Sequence, residues 1–335
     1  FVDFDYKGAE LYGMAIMADD NLMIEHAKRN IMFDDEGYDA DGKKTPGGKF
    51  PHPEWFDIHS NVAVMAFRLT VPDGVITDAK LAGKFGLAVG TSYAEAFKRK
   101  VGDELPASKA ALSLIGKAHL RIVAKSVIFG VAYGRAAKAI ALAVREQGVH
   151  ISMEEAQQVI DALFGLYSNL RPFFDSCRER ASKERWLCSC YGRFRRFPNA
   201  GDDFKLAGDF ERQAMNFPIQ SSIASCLDRG VAELFHLRQR MTKEFGEVPF
   251  RFALTIHDAV LLQAKAAYVQ RLIKGGLIEW AMCKAHPIYP TKLDGMPKEG
   301  GPYHLGLDFE ISEYWSEPIS VPRCVELGIP TEFGK

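Results

Sequence analysis

Four residues with chemically useful side chains follow each other at steps of four: Arg121, Lys125, Phe129 and Tyr133. On a helix, a step of four turns by about 400°, so these side chains would form one slowly drifting stripe. Two cations one turn apart can hold a polyphosphate, and the rings beyond them can contact a sugar and a base. The alternative is an ordinary amphipathic helix with both rings in the core and both cations in solvent.

Two aspartates are predicted to lie next to strands that are far apart in the sequence. Asp5 comes at the end of an apolar run, residues 1–6, which precedes a helix-forming stretch at 11–18. Asp258 lies in a tight turn between the two apolar strands of a predicted hairpin, residues 251–262. If the fold brings them together, their carboxylates make a site for two hard cations. Taken alone, each aspartate is more typical of a turn or of a helix cap than of a metal site.

In their order along the chain, these segments resemble motifs A, B and C of the family A DNA polymerases, the bacterial polymerase I type. Three further segments and the end of the chain resemble the same family. The matching residues are Asp5-Tyr6-x3-Glu10-Leu11, Asp57-Ile58-His59, Arg121-x3-Lys125-x3-Phe129-Gly130-x2-Tyr133-Gly134, Gly192-Arg193-x-Arg195-Arg196-x-Pro198, the predicted helix start Glu211-Arg212-x3-Asn216-x-Pro218-x-Gln220, His257-Asp258, and Gly306 to Trp315.

The resemblance implies attack of a primer 3′-hydroxyl on the α-phosphate of a deoxynucleoside triphosphate (dNTP). Two Mg²⁺ ions, for which Mn²⁺ can substitute, support this chemistry in the family. Asp5 and Asp258 would be the metal ligands and, with Lys125, the catalytic residues. Lys125 is expected to protonate the leaving pyrophosphate.

The resemblance also assigns residues to the incoming nucleotide. Arg121, Lys125 and His59 would hold the triphosphate, because fixed cations stabilise the charge that develops in phosphoryl transfer. Phe129 and Tyr133 would pack against the sugar and the base.

Glu10 is expected to close the space that a ribose 2′-hydroxyl would occupy, and so to exclude ribonucleotides. The related single-subunit RNA polymerases share the Arg-x3-Lys pattern but lack this glutamate and the phenylalanine, so Glu10 and Phe129 favour DNA synthesis. The alternative for Glu10 is a surface residue at the start of a helix.

A further set of residues is expected to contact primer-template DNA. Arginine suits phosphate oxygens, whereas Asn and Gln can donate to the acceptors that every minor groove displays. For the arginines, the alternative is a solvated basic turn. The set is Arg193, Arg195, Arg196, Asn216, Gln220 and His257.

Two features depart from known patterns. Ala259 follows His257-Asp258 where the family usually has a glutamate, so one secondary acidic group is absent. The glycine-rich run at 83–92 lacks the Gly-Lys-Ser/Thr end of a P-loop, so a loop in the fingers is predicted instead.

Composition adds few constraints. The chain has 335 residues, a net charge of −1 and six cysteines without metal or disulfide spacing. A polymerase of this charge would bind DNA through a local basic cleft. Reduced cysteines and the lack of a signal peptide or membrane span predict a cytoplasmic protein, in the host cytoplasm if phage-encoded, with no membrane partner.

The predicted architecture is α+β: a right-hand polymerase palm, formed by an antiparallel sheet with helices, plus mainly helical fingers. Residues 1–20 would begin the palm with motif A. Residues 21–178 would form the fingers, with an exposed insertion near 30–55 and strong helices near 108–147 and 152–168. Residues 179–335 would complete the palm with the motif C hairpin and the C-terminal strand.

Because the chain opens almost on motif A, we expect the thumb, the first part of the palm and any exonuclease domain to lie outside it. It would be a fragment or one half of a split polymerase, with an N-terminal chain or segment as partner. The strand bearing Asp5 is then expected to be left at an exposed sheet edge. The alternatives are a non-catalytic remnant that binds primer-template or nucleotide, and a P-loop-like hydrolase.

Overall fold

The computed structural model describes residues 1–32, 55–100, 108–198, 204–314 and 317–333. Most of the predicted insertion near 30–55 lies outside these residues, as does Trp315. The chain divides into two units. Unit 1 consists of Phe1–Gly13, Leu187–Arg195 and Phe217–Lys335, and unit 2 of Met14–Trp186 and Arg196–Asn216.

Helices dominate the first half of the chain, and strands and helices mix in the second. The first half contains β1 Val2–Lys7, α1 Ala9–Ala18, α2 Asn21–Met32, α3 Ile58–Phe67, α4 Ala79–Lys84, α5 Tyr93–Lys100, α6 Lys109–Leu114, α7 Ala118–Ala132, α8 Ala137–Glu146, α9 Met153–Leu166 and α10 Leu170–Lys183. The second contains β2 Trp186–Cys188, β3 Phe194–Arg196, α11 Phe204–Phe245, β4 Phe250–Ile256, β5 Ala259–Ala264, α12 Ala266–Ile273, α13 Leu277–Glu279, a π-helix Trp280–Lys284, β6 Gly306–Tyr314, β7 Glu317–Pro318, α14 Val321–Leu327 and a 3₁₀ turn Thr331–Phe333.

The main sheet has five strands in the order β4-β5-β1-β6-β7. β1 pairs antiparallel with β5 on one side and with β6 on the other. The expectation that the strand bearing Asp5 lies at an exposed edge is therefore wrong. Its neighbours come from the C-terminal part of the same chain, and the edge strand on the β5 side is β4.

β1 alternates between a buried and a more open face, as a strand at a sheet surface should. Val2, Phe4 and Tyr6 are buried, with Tyr6 donating a hydrogen bond from its hydroxyl to the carbonyl of Met282 at 2.9 Å. Asp5 points to the opposite face and is exposed. The apolar face thus anchors the strand while the other face presents the carboxylate.

The predicted hairpin is confirmed, with β4 and β5 joined by His257 and Asp258. His257 has φ +55°, in the left-handed region that a two-residue hairpin turn requires. Histidine tolerates this region better than most residues other than glycine. Asp258 is therefore held at the tip of a tight turn.

In unit 2, α7 carries the predicted stripe. Its opposite face is buried, through Val123, Ala124, Val127, Ile128 and Val131. The helix ends at the cap residue Tyr133, whose side chain is 37% exposed, so this ring is not a core residue. The strong helices predicted near 108–147 and 152–168 are confirmed.

The segment from Glu211 to Gln220 was predicted to start a helix, but it lies inside the 42-residue α11, which begins at Phe204. Residues 204–210, which precede this segment, contain no proline. The ion pair between Arg212 and Asp209, one turn earlier, also stabilises the helix on the N-terminal side of the motif. Pro218 is accommodated within the helix. No described helix is both long enough and apolar enough to cross a membrane.

Gly134, directly after Tyr133, provides a test of packing at the end of α7. Its φ is +67°, and an added Cβ would lie 2.8 Å from Cγ of Arg212 and also against Cε of Met215. We expect Gly134→Ala to lower the free energy of unfolding by about 3 kcal/mol, from backbone strain plus overpacking. Gly148→Ala is the control, because Gly148 has φ +79° but no heavy atom within 4 Å. It should cost about 1 kcal/mol in urea denaturation, and equal losses for both variants would contradict the packing argument.

Candidate active site

The open face of the sheet in unit 1 carries a set of facing carboxylates. In the β1–β6 register, Asp5 lies opposite Asp308 and Asp3 lies opposite Glu310. Like charges directly across an antiparallel pair are destabilising. Lys7 offsets part of this charge, with Nζ 3.5 Å from Oδ1 of Asp308.

Burial and the neighbouring carboxylates change the pKa of Asp5. Although the Asp5 residue is exposed at the sheet surface, partial burial of its carboxylate, followed by the charges of Asp308, Asp258 and Asp3, raises the pKa of Asp5 to about 6. Burial and the charge of Glu310 also raise the pKa of Asp3. The effect of Asp258 on Asp5 shows that the hairpin tip and β1 bring the two predicted metal ligands into one electrostatic environment. Negative charge is concentrated here, and a bound cation would relieve it.

Asp308 belongs to this group, although the sequence motifs indicate no role for it beyond the closing strand. An acidic residue in a strand carries no local signal of what lies opposite it, and the pairing with Asp5 spans about 300 residues. Only the register reveals it.

A hydrogen bond in unit 1 links Glu10, predicted to select the sugar, with Gln220, predicted to contact DNA. The side-chain amide of Gln220, on α11, donates a hydrogen bond to the carboxylate of Glu10, on α1. Both side chains are partly buried. The predicted sugar-selecting residue is thus held by a residue predicted to contact the minor groove.

The predicted DNA contacts are divided between the two units. Arg193, Arg195 and Arg196 are exposed, and Arg193 forms an ion pair with Asp228. His257 is exposed at the hairpin tip, whereas Asn216 is partly buried. Unit 1 contains Arg193, Arg195, Gln220 and His257, and unit 2 contains Arg196 and Asn216.

The predicted triphosphate ligands lie in unit 2, around Asp57. This aspartate is fully buried. Its carboxylate caps α3 by accepting from the backbone N–H of His59 at 3.1 Å, and it also accepts from the Ser60 hydroxyl at 2.6 Å. From α7, Arg121 donates to it through Nε at 2.5 Å and through Nη2 at 3.3 Å. One carboxylate thereby fixes the start of α3 and the guanidinium of Arg121.

The sequence motif that contains Asp57 indicates no specific role for this residue. An aspartate before a predicted helix is a recognisable cap signal. Its second partner, Arg121, is 64 residues away, so the sequence alone did not reveal the link.

His59 is placed beside the aromatic part of the stripe, with its ring centre 5.9 Å from that of Phe129. Its Nδ1 is buried and has no hydrogen-bond partner among the described residues. Burial, opposed by Asp57 and reinforced by Arg121 and Lys125, lowers the pKa of His59 to about 4. At neutral pH the imidazole can offer a hydrogen bond but no positive charge.

Lys125 is the exposed cation of the stripe. Its Nζ lies 5.9 Å from the ring centre of Phe129, within the range of a cation–π interaction. Phe129 is partly buried. Unit 2 therefore presents a held guanidinium, an exposed ammonium and a partly covered ring on neighbouring turns of α7.

The acidic residues of the sheet belong to unit 1, and the predicted triphosphate ligands belong to unit 2. Among the residues that the structure describes, no group of three or more His, Cys, Asp or Glu side chains is arranged to hold a metal. Asp5 and Asp258, the predicted metal ligands, both belong to unit 1, and Asp308 lies opposite Asp5.

Comparison with known proteins identifies the family. The sequence model of DNA polymerase family A matches residues 108–293, more than half of the chain. The chain belongs to DNA polymerase family A.

Among characterised relatives, DNA polymerase I of Geobacillus stearothermophilus is 27% identical over 191 residues, covering 56% of this chain and 20% of that protein. Thermostable DNA polymerase I of Thermus thermophilus is 29% identical over 170 residues, covering 50% and 19%. The matched region thus spans about a fifth of the length of these relatives.

A solved structure supports the fold. The POL domain of Pol1 from M. smegmatis, in complex with DNA primer-template and dNTP, is similar with a TM-score of 0.58 and 20% identity. The similarity covers 94% of this chain and 39% of that one. The predicted α+β class, an antiparallel sheet with helices plus a mainly helical part, is confirmed.

The double role of Asp57 can be tested by stability. Asp57→Ala removes a helix cap and leaves Arg121 without its buried partner, so we expect a loss of about 4 kcal/mol. The control is Asp78→Ala. Asp78 caps α4 by accepting from the N–H groups of Lys80 and Leu81, and its loss should cost about 1 kcal/mol. Urea denaturation of both variants checks this, and comparable losses would show that the Arg121 contact adds nothing.

The lowered pKa of His59 predicts a pH dependence of stability. Between pH 6.5 and pH 4 the unfolded state binds a proton at His59 that the folded state does not, so stability should fall as the pH drops through this window. At pH 5 the loss relative to pH 7.5 should reach about 2 kcal/mol. His59→Gln should remove this component in denaturation curves at the two pH values. An unchanged pH dependence in the variant would mean that His59 titrates normally.

Proposed function

We propose that this chain carries out template-directed DNA synthesis, transferring a nucleotide from a dNTP to a primer 3′-hydroxyl. The carrying observation is that Asp5 lies on the central strand of the sheet and Asp258 at the tip of the neighbouring hairpin, where the charge of Asp258 contributes to the raised pKa of Asp5. Family membership supports this proposal, and so do the names of the relatives. The non-catalytic alternative is not favoured, because both aspartates are present.

The acidic face suits Mg²⁺, and Mn²⁺ would substitute for it. Carboxylate oxygens are hard ligands, and Mg²⁺ is usually bound by one or two carboxylates together with substrate phosphates. Two bound ions would activate the primer hydroxyl and neutralise the leaving pyrophosphate. Asp5 and Asp258 would hold these ions. Burial, together with the charges of the neighbouring carboxylates, raises the pKa of Asp5, and bound cations would neutralise that negative charge.

The residues of α7 and α3 would act on the triphosphate. Arg121 keeps a fixed orientation because Asp57 holds its Nε and Nη2, and preorganised donors lower the cost of stabilising phosphoryl charge. Lys125 is exposed and would supply both charge and the proton for the leaving pyrophosphate. His59 would contribute a neutral hydrogen bond.

Sugar selection would depend on Glu10. Its carboxylate would fill the position of a 2′-hydroxyl, and the hydrogen bond from Gln220 would keep it there. A pocket that is closed in this way rejects one additional hydroxyl more strongly than a flexible one. Phe129 and Tyr133 would pack against the sugar and the base.

The larger assembly is part of the proposal. Unit 1 would correspond to the palm and unit 2 to the fingers. Primer-template DNA would contact Arg193, Arg195, Arg196, Asn216, Gln220 and His257. A segment with the thumb and the remaining palm, joined N-terminally or on a separate chain, would complete the enzyme. The similar solved structure, described as a complex with DNA primer-template and dNTP, supports both ligands.

The test is single-nucleotide incorporation into a labelled primer with Mg²⁺ or Mn²⁺, with the protein in excess over DNA so that weak DNA binding does not limit the reaction. Asp258→Asn should reduce the rate by at least about 10²-fold, since a charge at the reacting centre is lost. The matched control is Asp175→Asn, because Asp175 is an exposed helical aspartate that pairs with Arg178. A folded Asp258→Asn protein that incorporates at the wild-type rate would refute the proposal.

A further inference from the structure

One lysine lies among the carboxylates on the open face of the sheet. Strands β1, β5 and β6, which the structure describes in full, place four carboxylates and a single cation on this face. Lys7 is that cation, because side chains alternate along a strand and Lys7 therefore shares its face with Asp3 and Asp5. The four carboxylates are those of Asp3, Asp5, Asp308 and Glu310.

The strand register explains why Lys7 reaches Asp308. Lys7 lies directly opposite Gly306, which has no side chain, and Asp308 is the diagonal neighbour two positions along β6. Diagonal neighbours on an antiparallel sheet are about 7–8 Å apart, within reach of a long side chain. The distance from Nζ of Lys7 to Oδ1 of Asp308 is 3.5 Å. The ammonium therefore extends toward the carboxylate that faces Asp5.

The two side chains of this pair differ in exposure. The Lys7 side chain is 23% exposed, whereas that of Asp308 is 59% exposed. Lysine side chains are mostly exposed to water. Lys7 is instead largely covered on the acidic face, so its charge is screened less than that of an exposed lysine.

Asp308 is the carboxylate through which Lys7 affects Asp5. On the β5 side, continuing the register by one position places the uncharged Ala259 beside Asp5. On the β6 side, Asp308 lies directly opposite Asp5. After burial, the charge of Asp308 contributes most to the raised pKa of Asp5. Lys7 thus offsets the neighbouring charge that affects Asp5 most.

We propose that Lys7 is an internal counter-ion of the metal site: its ammonium offsets the charge of Asp308 and Asp5 until a divalent cation binds, and so raises the metal concentration at which the site fills. The inference rests on the proposed function, because it takes Asp5 to be a ligand of that cation. An ammonium and a divalent cation beside the same carboxylates repel each other, so Lys7 weakens metal binding. In the absence of metal, Lys7 lowers the repulsion between β1 and β6.

The test replaces Lys7 with methionine, which keeps an unbranched side chain and removes the charge. Binding of Mn²⁺ alone, without DNA or dNTP, would be measured from the electron paramagnetic resonance signal of the free ion. Lys7→Met should tighten Mn²⁺ binding about 5- to 10-fold, the effect of removing one charge about 7 Å from a divalent ion at a hydrated surface. Unchanged or weaker binding by a folded Lys7→Met protein would overturn the proposal.

Thermal unfolding gives a second readout, of opposite sign. Without metal, Lys7→Met should melt about 2 °C below the wild type, because the repulsion between Asp5 and Asp308 is no longer offset. Saturating Mn²⁺ should remove or reverse this difference, since the bound ion then supplies the positive charge. A lysine with only a packing role would lower the melting temperature equally with and without Mn²⁺, and that result would contradict the proposal.

Two controls separate the charge of Lys7 from its position. Lys7→Arg keeps the charge and should bind Mn²⁺ within about twofold of the wild type. Arg323→Met removes a cation that pairs with Glu313, which is about 17 Å along β6 from Asp308. This distance exceeds the Debye length of about 8 Å at physiological ionic strength, so Mn²⁺ binding should not change. Equal tightening by Arg323→Met and Lys7→Met would show an effect of net charge alone and refute a specific role of Lys7.

Asp258→Asn separates this inference from the proposed function. It should weaken Mn²⁺ binding at least about 10-fold, because a proposed ligand loses its charge. Wild-type binding by Asp258→Asn would contradict the metal site itself, and the role of Lys7 with it. Weaker binding by Asp258→Asn together with unchanged binding by Lys7→Met would refute only the role of Lys7.

Discussion

Repulsion between carboxylates on neighbouring strands is the constraint around which unit 1 is built. Asp5 faces Asp308, and Asp3 faces Glu310, across a pair of strands that would separate if these charges acted alone. The other face of β1 opposes this effect. Each large apolar side chain buried there contributes about 1.5–3 kcal/mol, and β1 has strands on both sides to hold it. The acidic face can exist because the core beneath it is well anchored.

Unit 2 handles buried charge in a different way. Asp57 has no exposed surface, yet its carboxylate accepts from a backbone N–H, a hydroxyl and a guanidinium. A buried ion pair of this kind adds little net stability, because desolvation offsets the attraction. What it provides is position, since Arg121 can take only one arrangement relative to the start of α3. His59 beside it loses its charge, so positive charge is concentrated on Arg121 and Lys125.

The sequence predicted what depends on local patterns. The stripe on α7, the hairpin with His257 and Asp258, and the helices of unit 2 follow from spacing and from turn chemistry, and the structure confirms them. Contacts between distant residues were missed. The link of Asp57 to Arg121 and the hydrogen bond from Gln220 to Glu10 join residues 64 and 210 positions apart. The placement of β1 at an edge was wrong for the same reason: nothing near residue 5 indicates which later strands will pair with it.

The order of the strands in the chain has a consequence for synthesis. β1 precedes β6 by about 300 residues, so at usual translation rates it waits roughly 15 to 60 seconds for its partner. During that time an alternating strand with an apolar face is open to pairing with other nascent chains. Charged residues within such a strand suppress this kind of aggregation. Asp3 and Asp5 place two such charges in β1, on the face opposite its apolar side chains.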